Sequence, residues 1–195
     1  FADDRSHQTF SEHSQVLAIT SGMLLPEEQK GVTTALVTGT ASQSARANLY
    51  FTHYWFEAMA CPESENVWFD RLADWYDLLD RGHVTMPETR SIQTRSDCHP
   101  WSAHPAYHYV TSIVGIRPGT MGFQHADISP MLGPLSSASA TISHPSGGCI
   151  TVKWEKSTDS LRGKISLPVG ITGTVRYRQQ TIDLTPSGQL IELQL

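Results

Sequence analysis

The chain has 195 residues, of which 39% are apolar and 17% are charged. This composition can fill the core of one compact domain, or of a small domain joined to part of another, and it excludes a disordered or coiled-coil chain. The formal net charge is −5 with the histidines neutral, and lysine and arginine form no cluster. We therefore expect no nucleic-acid partner and no anionic membrane partner.

The three cysteines are Cys61, Cys98 and Cys149. An odd number at wide spacing argues against a disulfide framework, although one bridge with a free thiol stays possible. Free cysteines favour a reducing compartment, so we lean towards a cytoplasmic location. No apolar run approaches the roughly 20 residues that span a bilayer, so we also expect no transmembrane segment.

The net charge and the hydrophobic pattern of the sequence both change at Ile116. The residues up to this point include 7 basic and 14 acidic side chains, whereas the remainder includes 7 basic and 5 acidic ones. We therefore expect two domains, residues 1–116 and residues 117–195.

Apolar spacings of three and four predict five helices in the first domain. Ser11 is the expected cap of the first helix, and Gly39 is the expected end of the second, which Pro26 opens. The third is expected over Ser42–Ala60, apolar on most sides, and the fourth over Pro62–Gly82, with Asp70, Asp74 and Asp77 on or beside its solvated face. The fifth is expected over about Ser102–Ile116.

The second domain alternates with a period of two, as in Ile150, Val152 and Trp154. Turn residues such as Pro145–Gly148 and Pro186–Gly188 separate the alternating segments. About seven short strands at this spacing indicate an antiparallel β-sandwich. The predicted fold class is thus α followed by β.

The polar stretch Gly82–Trp101 has little periodicity, and long loops inside compact domains are often functional. Glu88 is the only carboxylate between Asp80 and Asp97. Composition alone favours a solvated glutamate or a partner of Arg90. The alternative is a general acid or base whose pKa an apolar surround raises.

The roles of His99 and Trp101 also have two interpretations. A histidine beside proline often stabilises a turn, and a tryptophan before a helix is often part of the core. Next to a carboxylate, the same pair offers a hydrogen-bond donor and a flat apolar face, which suits a sugar ring.

A zinc site is a weaker hypothesis. His104 and His108 are four residues apart, and Cys98 and His99 lie nearby. Pro105 lies between the two histidines, however, and neither a second cysteine nor a catalytic glutamate accompanies them. We therefore expect no metal and no other cofactor.

Two segments in this loop resemble the α-L-rhamnosidases of glycoside hydrolase family 78. They are Gly82-His-Val-Thr-Met-Pro-Glu88 and Thr94-Arg-Ser-Asp-Cys-His-Pro-Trp-Ser-Ala-His-Pro105. Gly115-Ile-Arg-Pro118, Gly122-Phe123 and Ile128-Ser-Pro130 downstream are similar to the junction between that family's last two domains. Upstream, His13–Ala18, Tyr50–Tyr54 and Glu57-Ala58 are similar to its late barrel helices.

The resemblance implies a partial (α/α)6 barrel, formed by the late helices of a catalytic domain within residues 1–116, followed by the family's C-terminal β-sandwich. It implies an enzyme that hydrolyses terminal α-L-rhamnosyl groups with inversion, using two carboxyl groups. Glu88 matches the family's late glutamate, the general base, and His99 and Trp101 match positions that line the rhamnose pocket.

In the family, the general acid lies on early barrel helices, upstream of the part that this sequence resembles. We therefore expect the chain to need an N-terminal catalytic part, to act on a rhamnose-containing glycoside only with that part, and to be inactive alone. The alternative is a non-catalytic truncated module whose β-sandwich binds carbohydrate or a neighbouring domain.

Overall fold

The computed structural model describes residues 1–39, 45–185 and 190–195. The chain forms two compact units, Phe1–Ala106 and Tyr107–Leu195, here called the N-terminal and C-terminal units. The boundary between them lies ten residues before Ile116, the position at which the net charge and the hydrophobic pattern of the sequence change. The assignment of residues 1–116 to a catalytic domain and of residues 117–195 to a sandwich domain stays a prediction.

The N-terminal unit is helical up to a long loop. Its helices are α1 (Glu12–Thr20), α2 (Pro26–Thr38), α3 (Thr52–Ala58), α4 (Glu65–Arg71) and α5 (Ala73–Asp80), and a short helix α6 (Pro105–His108) contains the boundary between the units. Helix α1 packs against α2 and α3. Within the described ranges, no helix is both long enough and apolar enough to cross a membrane.

The two predicted helix ends are confirmed. Ser11 caps α1, because its hydroxyl accepts a hydrogen bond from the Ser14 amide. Helix α2 begins at Pro26 and ends at Gly39, which adopts a left-handed conformation with φ of 68°. Glu28 adds a contact that closes the first turn of α2, since its carboxylate accepts from the Leu25 amide at 2.9 Å.

The predicted start of the third helix is wrong for residues 45–51, whereas residues 42–44 lie outside the described residues. Ala45 forms a bridge with Ser11, donating to the Phe10 carbonyl at 2.9 Å and accepting from Glu12 at 3.0 Å. The helix begins only at Thr52. Backbone pairing with a distant segment therefore replaces the helix that the apolar spacing predicted.

The fourth predicted helix is a short 3₁₀ turn, Pro62–Ser64, followed by α4 and α5. Its largest apolar side chains are buried and form the core of this unit together with residues from α1, α3 and the segment before α3. The buried members are Val16, Ile19, Leu49, Trp55, Phe56, Met59, Trp68, Leu72, Trp75 and Leu78.

One ion pair ties α1 to α4 beneath the surface. Arg71 donates to Glu12, and the two side chains are 7% and 16% exposed. Glu12 also accepts from the Ala47 amide at 2.6 Å. Burial lowers the pKa of Arg71, and the carboxylate of Glu12 opposes that shift.

The predicted fifth helix is irregular. A 3₁₀ turn at Pro100–Ala103 precedes α6, and a π-helix at Tyr109–Val114 follows it. Gly115 ends the π-helix with φ of 87°, and a Cβ there would lie 2.2 Å from the Ser129 carbonyl oxygen. Only glycine fits this position.

The described part of the C-terminal unit contains eight strands. They are β1 (Ile116–Pro118), β2 (His125–Ile128), β3 (Ser137–Ser143), β4 (Cys149–Lys156), β5 (Leu161–Ser166), β6 (Thr172–Tyr177), β7 (Gln180–Leu184) and β8 (Leu190–Gln194). One sheet has the order β1-β2-β6-β7 and the other β3-β4-β5-β8. The predicted turn Pro186–Gly188 lies outside the described residues.

One hydrophobic core joins the two sheets. It combines Ile128 and Val175 of the first sheet with Val152, Trp154 and Ile165 of the second. This arrangement agrees with the predicted sandwich, with one difference in strand direction. Strand β2 pairs with β6 in parallel, whereas the other pairs are antiparallel.

Candidate functional site

The candidate site is organised by the loop Gly82–His99, which contains no helix or strand, as the sequence predicts. Its two arms are joined by backbone hydrogen bonds. The His99 amide donates to the Met86 carbonyl at 2.7 Å, and the Glu88 amide donates to the Ser96 carbonyl at 2.9 Å. These bonds join residues 86–88 to residues 96–99, so Glu88 and His99 lie on the two paired arms of the closed loop.

Buried hydrogen bonds fix the closed loop to the helical core. Ser102 donates its hydroxyl to the Pro87 carbonyl at 2.8 Å, and Trp75 of α5 donates its indole N–H to the Ser102 carbonyl at 2.7 Å. This chain of contacts places Trp101, the neighbour of Ser102, beside the segment that carries Glu88.

Arg90 fixes the same loop through charge. It donates to Asp74 at 3.0 Å and to the Ala47 carbonyl at 3.2 Å. Arg46 donates to both oxygens of Asp74 at 3.0 Å. Two expectations are therefore corrected: Arg90 pairs with Asp74 rather than with Glu88, and Asp74 is a largely buried ion-pair partner rather than a solvated residue.

Glu88 itself pairs with Arg95. Its two carboxylate oxygens accept from Nε at 3.0 Å and from Nη2 at 2.5 Å. The Glu88 side chain is 18% exposed, whereas that of Arg95 is 76% exposed. The carboxylate is therefore held in place by a cation that lies mostly in solvent.

His99 and Trp101 lie together as an aromatic pair. Their ring centroids are 4.3 Å apart with the planes tilted by 46°. Trp101 is 41% exposed, and Nδ1 of His99 is buried without a hydrogen-bond partner in the described chain. The flat apolar ring of Trp101 is thus accessible from solvent, whereas Nδ1 of His99 is enclosed by the protein.

Two tyrosines extend this surface, and the sequence analysis missed them as site residues. Tyr50 contacts Trp101 edge to face at 5.6 Å and Tyr54 at 6.1 Å. Both tyrosines are at least 37% exposed. Their spacing of four residues could have indicated a shared face, but the helix prediction treated Tyr54 as buried. A hydrogen bond with Tyr50 raises the pKa of the Tyr54 hydroxyl.

Trp101 and the tyrosines border a cavity of about 360 Å³, together with His53 and His104. The His104 Nε2 lies 2.8 Å from the Leu49 carbonyl oxygen, so this nitrogen carries the proton and donates. Burial lowers the pKa of His104 to about 4, the Leu49 carbonyl opposes the shift, and the nearby His53 adds to it. His104 is therefore neutral at pH 7.

Cys98 and His104 are two of the residues considered for zinc. Cys98 is exposed and forms no disulfide. Within the N-terminal unit, the His104 ring approaches His53, with centroids 5.5 Å apart. His104 already uses Nε2 for the Leu49 carbonyl.

Comparison with known proteins identifies the second half of the chain. Residues 115–189 match the family model of the bacterial alpha-L-rhamnosidase C-terminal domain. This segment is similar to a rhamnosidase C-terminal domain. The resemblance seen in the sequence is thereby confirmed, and the chain carries a module related to glycoside hydrolases. Comparison with curated proteins gives no match.

Solved rhamnosidases share the fold over most of the chain. The enzyme from Aspergillus terreus aligns over 95% of this chain with a TM-score of 0.79 and 15% identity. The enzyme from Streptomyces avermitilis, solved with L-rhamnose, aligns over 93% with a TM-score of 0.76 and 17% identity. A family 78 rhamnosidase from Bacillus sp. GL1 aligns over 78% with a TM-score of 0.66 and 23% identity.

The alignments span only 24%, 21% and 17% of those three rhamnosidases, respectively. The rhamnosidase C-terminal domain thus accounts for residues 115–189, and the helices before it have a counterpart in the same solved structures.

Proposed function

We propose that this chain forms the C-terminal part of an inverting α-L-rhamnosidase. In this proposal the helices of residues 1–116 are late helices of an (α/α)6 barrel, and residues 117–195 are the sandwich that follows it. The observation that supports it best is the closed loop, which holds Glu88, His99 and Trp101 together directly upstream of a rhamnosidase C-terminal domain.

Glu88 is the proposed general base. An inverting glycosidase activates water with one carboxylate while a second carboxyl group, roughly 6.5–9.5 Å away, protonates the leaving oxygen. Glu88 pairs with Arg95, and in this proposal the exposed arginine turns into solvent when substrate binds, which leaves the carboxylate free to accept a proton. Because Arg95 lies mostly in solvent and Glu88 does not, Arg95 is the partner that substrate binding can displace.

His99 and Trp101 are the proposed sugar-binding groups. A rhamnose ring has one relatively apolar face and several hydroxyl groups. The Trp101 ring can cover the apolar face, and the half-buried His99 ring beside it is the proposed hydrogen-bond donor to a hydroxyl group. Tyr50 and Tyr54 extend the same aromatic surface beyond Trp101.

The general acid is proposed to come from an N-terminal catalytic part that is not among these 195 residues. The substrate is a rhamnose-containing glycoside. Neither a metal nor another cofactor is proposed, since the two carboxyl groups supply the proton transfers while water displaces the leaving oxygen at the anomeric carbon. The 195-residue chain is therefore expected to be inactive until it is joined to that part.

The first prediction concerns Glu88 in the enzyme that contains this chain. Glu88→Gln keeps the shape of the side chain but removes its ability to accept a proton, so kcat for an aryl α-L-rhamnoside should fall by about 10²–10⁴. Release of the aryl group gives the rate, and NMR of the first product formed should detect the inverted anomer.

Arg95→Gln is the matched control, because it breaks the same ion pair and leaves the carboxylate in place. Substantial activity in Arg95→Gln together with a large loss in Glu88→Gln would support the general base. Equal losses would mean that the ion pair matters only for the structure of the loop. Normal turnover in Glu88→Gln would rule out Glu88 as the base.

A further inference from the structure

A second cavity lies wholly within the C-terminal unit, where three connections between strands meet. These are residues 120–125 between β1 and β2, residues 144–148 between β3 and β4, and residues 168–172 between β5 and β6. We call the space between them the three-loop cleft. Its volume is about 880 Å³, within the upper part of the range of roughly 300–1,000 Å³ that ligand sites occupy.

Hydrogen bonds join the three loops to one another. His144 accepts at Nδ1 from the Ser146 amide at 3.1 Å, so its Nε2 carries the proton and donates to the Phe123 carbonyl at 2.9 Å. The Thr172 amide donates to the Gln124 carbonyl at 3.3 Å. The cleft is therefore held open by the protein itself, which lowers the entropic cost of filling it.

His125 connects the floor of the cleft to β6. Its Nε2 lies 3.0 Å from the Thr174 hydroxyl oxygen, and that hydroxyl donates to Asp183 at 2.9 Å. Thr174 must then accept from Nε2, and Nδ1 lies 2.7 Å from the Thr172 hydroxyl oxygen. The oxygen of Thr172 keeps lone pairs for a ligand.

The chemistry of the lining is neutral and polar. None of the described residues that line the cleft is Asp, Glu, Lys or Arg. The Gln124 side chain is exposed and forms no hydrogen bond within the described chain, so both its amide donor and its carbonyl acceptor are available. Ser146 adds a hydroxyl, and Val169, which is 82% exposed, adds an apolar surface.

This combination selects one class of ligand. An ion would find no counter-charge on the walls, and a purely apolar molecule would leave the amide and hydroxyl groups unpaired. A sugar has hydroxyl groups that both donate and accept, as the Gln124 amide does, and C–H faces that can pack on Val169. The Ser146 hydroxyl donates to Nδ1 of His144 at 2.7 Å, so its oxygen can accept from a sugar hydroxyl group. We propose that the three-loop cleft is a binding site for a neutral saccharide.

This site does not depend on Glu88 or on hydrolysis. The test is amide NMR of the 195-residue chain titrated with L-rhamnose, D-glucose, D-galactose, lactose and maltose, with glucuronate as the charged comparison. At least one neutral sugar should cause saturable shifts, at millimolar concentration, in the Gln124 side-chain amide and in residues 122–125, 144–148 and 169–172. Glucuronate should cause smaller shifts.

Gln124→Ala removes an exposed side chain and should weaken that binding by roughly two- to tenfold, the value of about one net hydrogen bond. Gln180→Ala is the matched control, because Gln180 pairs with Tyr177 at the opposite end of β6 and should leave the affinity unchanged. Calorimetric titration of the same three proteins measures the affinities independently.

Two results would overturn the proposal: no shift in the three loops with any neutral sugar, or equal binding by the native chain and Gln124→Ala. Shifts confined to His99 and Trp101 would also overturn it, while supporting the rhamnose pocket proposed in the N-terminal unit. Failure of one site is thereby distinguished from failure of the other.

Discussion

At the scale of single residues, His104 illustrates how burial fixes the ionisation state of a side chain in the candidate site. The ring is partly buried at the cavity that Trp101 borders, and its Nε2–H donates to the Leu49 carbonyl. A proton on the second nitrogen would add a charge that burial disfavours. For this reason the pKa of His104 falls from the ordinary value of 6.5 to about 4.

This shift predicts a pH dependence of stability. The unfolded chain takes up a proton at His104 near pH 6.5, whereas the folded chain takes it up only near pH 4. The stabilisation is therefore complete above pH 6.5 and is lost as the pH falls from 6.5 to 4, by about 2–3 kcal/mol. Urea unfolding at several pH values measures the free energy of unfolding directly.

His104→Gln is the control for that pH series, because glutamine does not titrate. The free energy of unfolding of the variant should depend less steeply on pH between 6.5 and 4 than that of the native chain. Carboxylates that titrate in this range contribute to both proteins and cancel in the difference. Identical slopes would contradict the assigned shift.

Individual residues also show which parts of the candidate site can be predicted from the sequence. Glu88, His99 and Trp101 match the family that the sequence resembles. Glu88 and His99 belong to the closed loop, and Trp101 lies in the 3₁₀ turn that follows it. The partner of Glu88 could not be read from spacing, since Arg90 is nearer in sequence than Arg95. Which arginine pairs with which carboxylate depends on how the loop closes, and that depends on hydrogen bonds between its distant arms.

At the scale of secondary-structure elements, the sequence predicts helix ends and alternating strands, because both depend on local signals. It does not predict the pairing of segments that are distant in the chain. Ser11, Gly39 and the alternating residues of β4 act through their immediate neighbours, so the sequence was sufficient for them. The strand β3, with the sequence SASATIS, was not located because it contains a single large apolar residue. The parallel pairing of β2 with β6 joins segments about 47 residues apart and has no local signature.

Strand β5 depends on one glycine. Gly163 lies opposite Trp154 of β4, and a Cβ at this position would lie 2.2 Å from a carbon of the indole ring. Trp154 cannot easily move, because it is 1% exposed and its indole N–H donates to the Val114 carbonyl at 2.9 Å. The glycine is needed for space rather than for backbone conformation.

Gly163→Ala should therefore destabilise the chain by about 1–3 kcal/mol, as overpacking of a tight core does. Gly31→Ala is the matched control. It lies in α2, where a Cβ would meet nothing within 4 Å, so it should be neutral or stabilising by up to about 1 kcal/mol. Urea unfolding of both variants gives the comparison, and a Gly163→Ala protein as stable as the native chain would refute the packing argument.

At the scale of the whole molecule, the C-terminal unit extends to residues before its first strand. The change of charge and texture places the boundary at Ile116, but the π-helix Tyr109–Val114 contributes to the sandwich. Val114 and Ile116 belong to the core that joins the two sheets. A backbone hydrogen bond also joins the π-helix to the sandwich, since the Met131 amide donates to the Ile113 carbonyl at 3.1 Å.

This arrangement predicts where the chain can be divided. Residues 107–195 keep the π-helix and the whole core, so they should fold alone and unfold cooperatively in urea. Residues 117–195 lose Val114 and Ile116, and each buried side chain of this size contributes roughly 1.5–3 kcal/mol. The shorter piece should therefore be less stable by at least about 3 kcal/mol, or unfolded, as judged by dispersion of amide NMR signals. Equal stability of the two pieces would place the boundary at residue 116, since residues 107–116 would then contribute nothing to the sandwich.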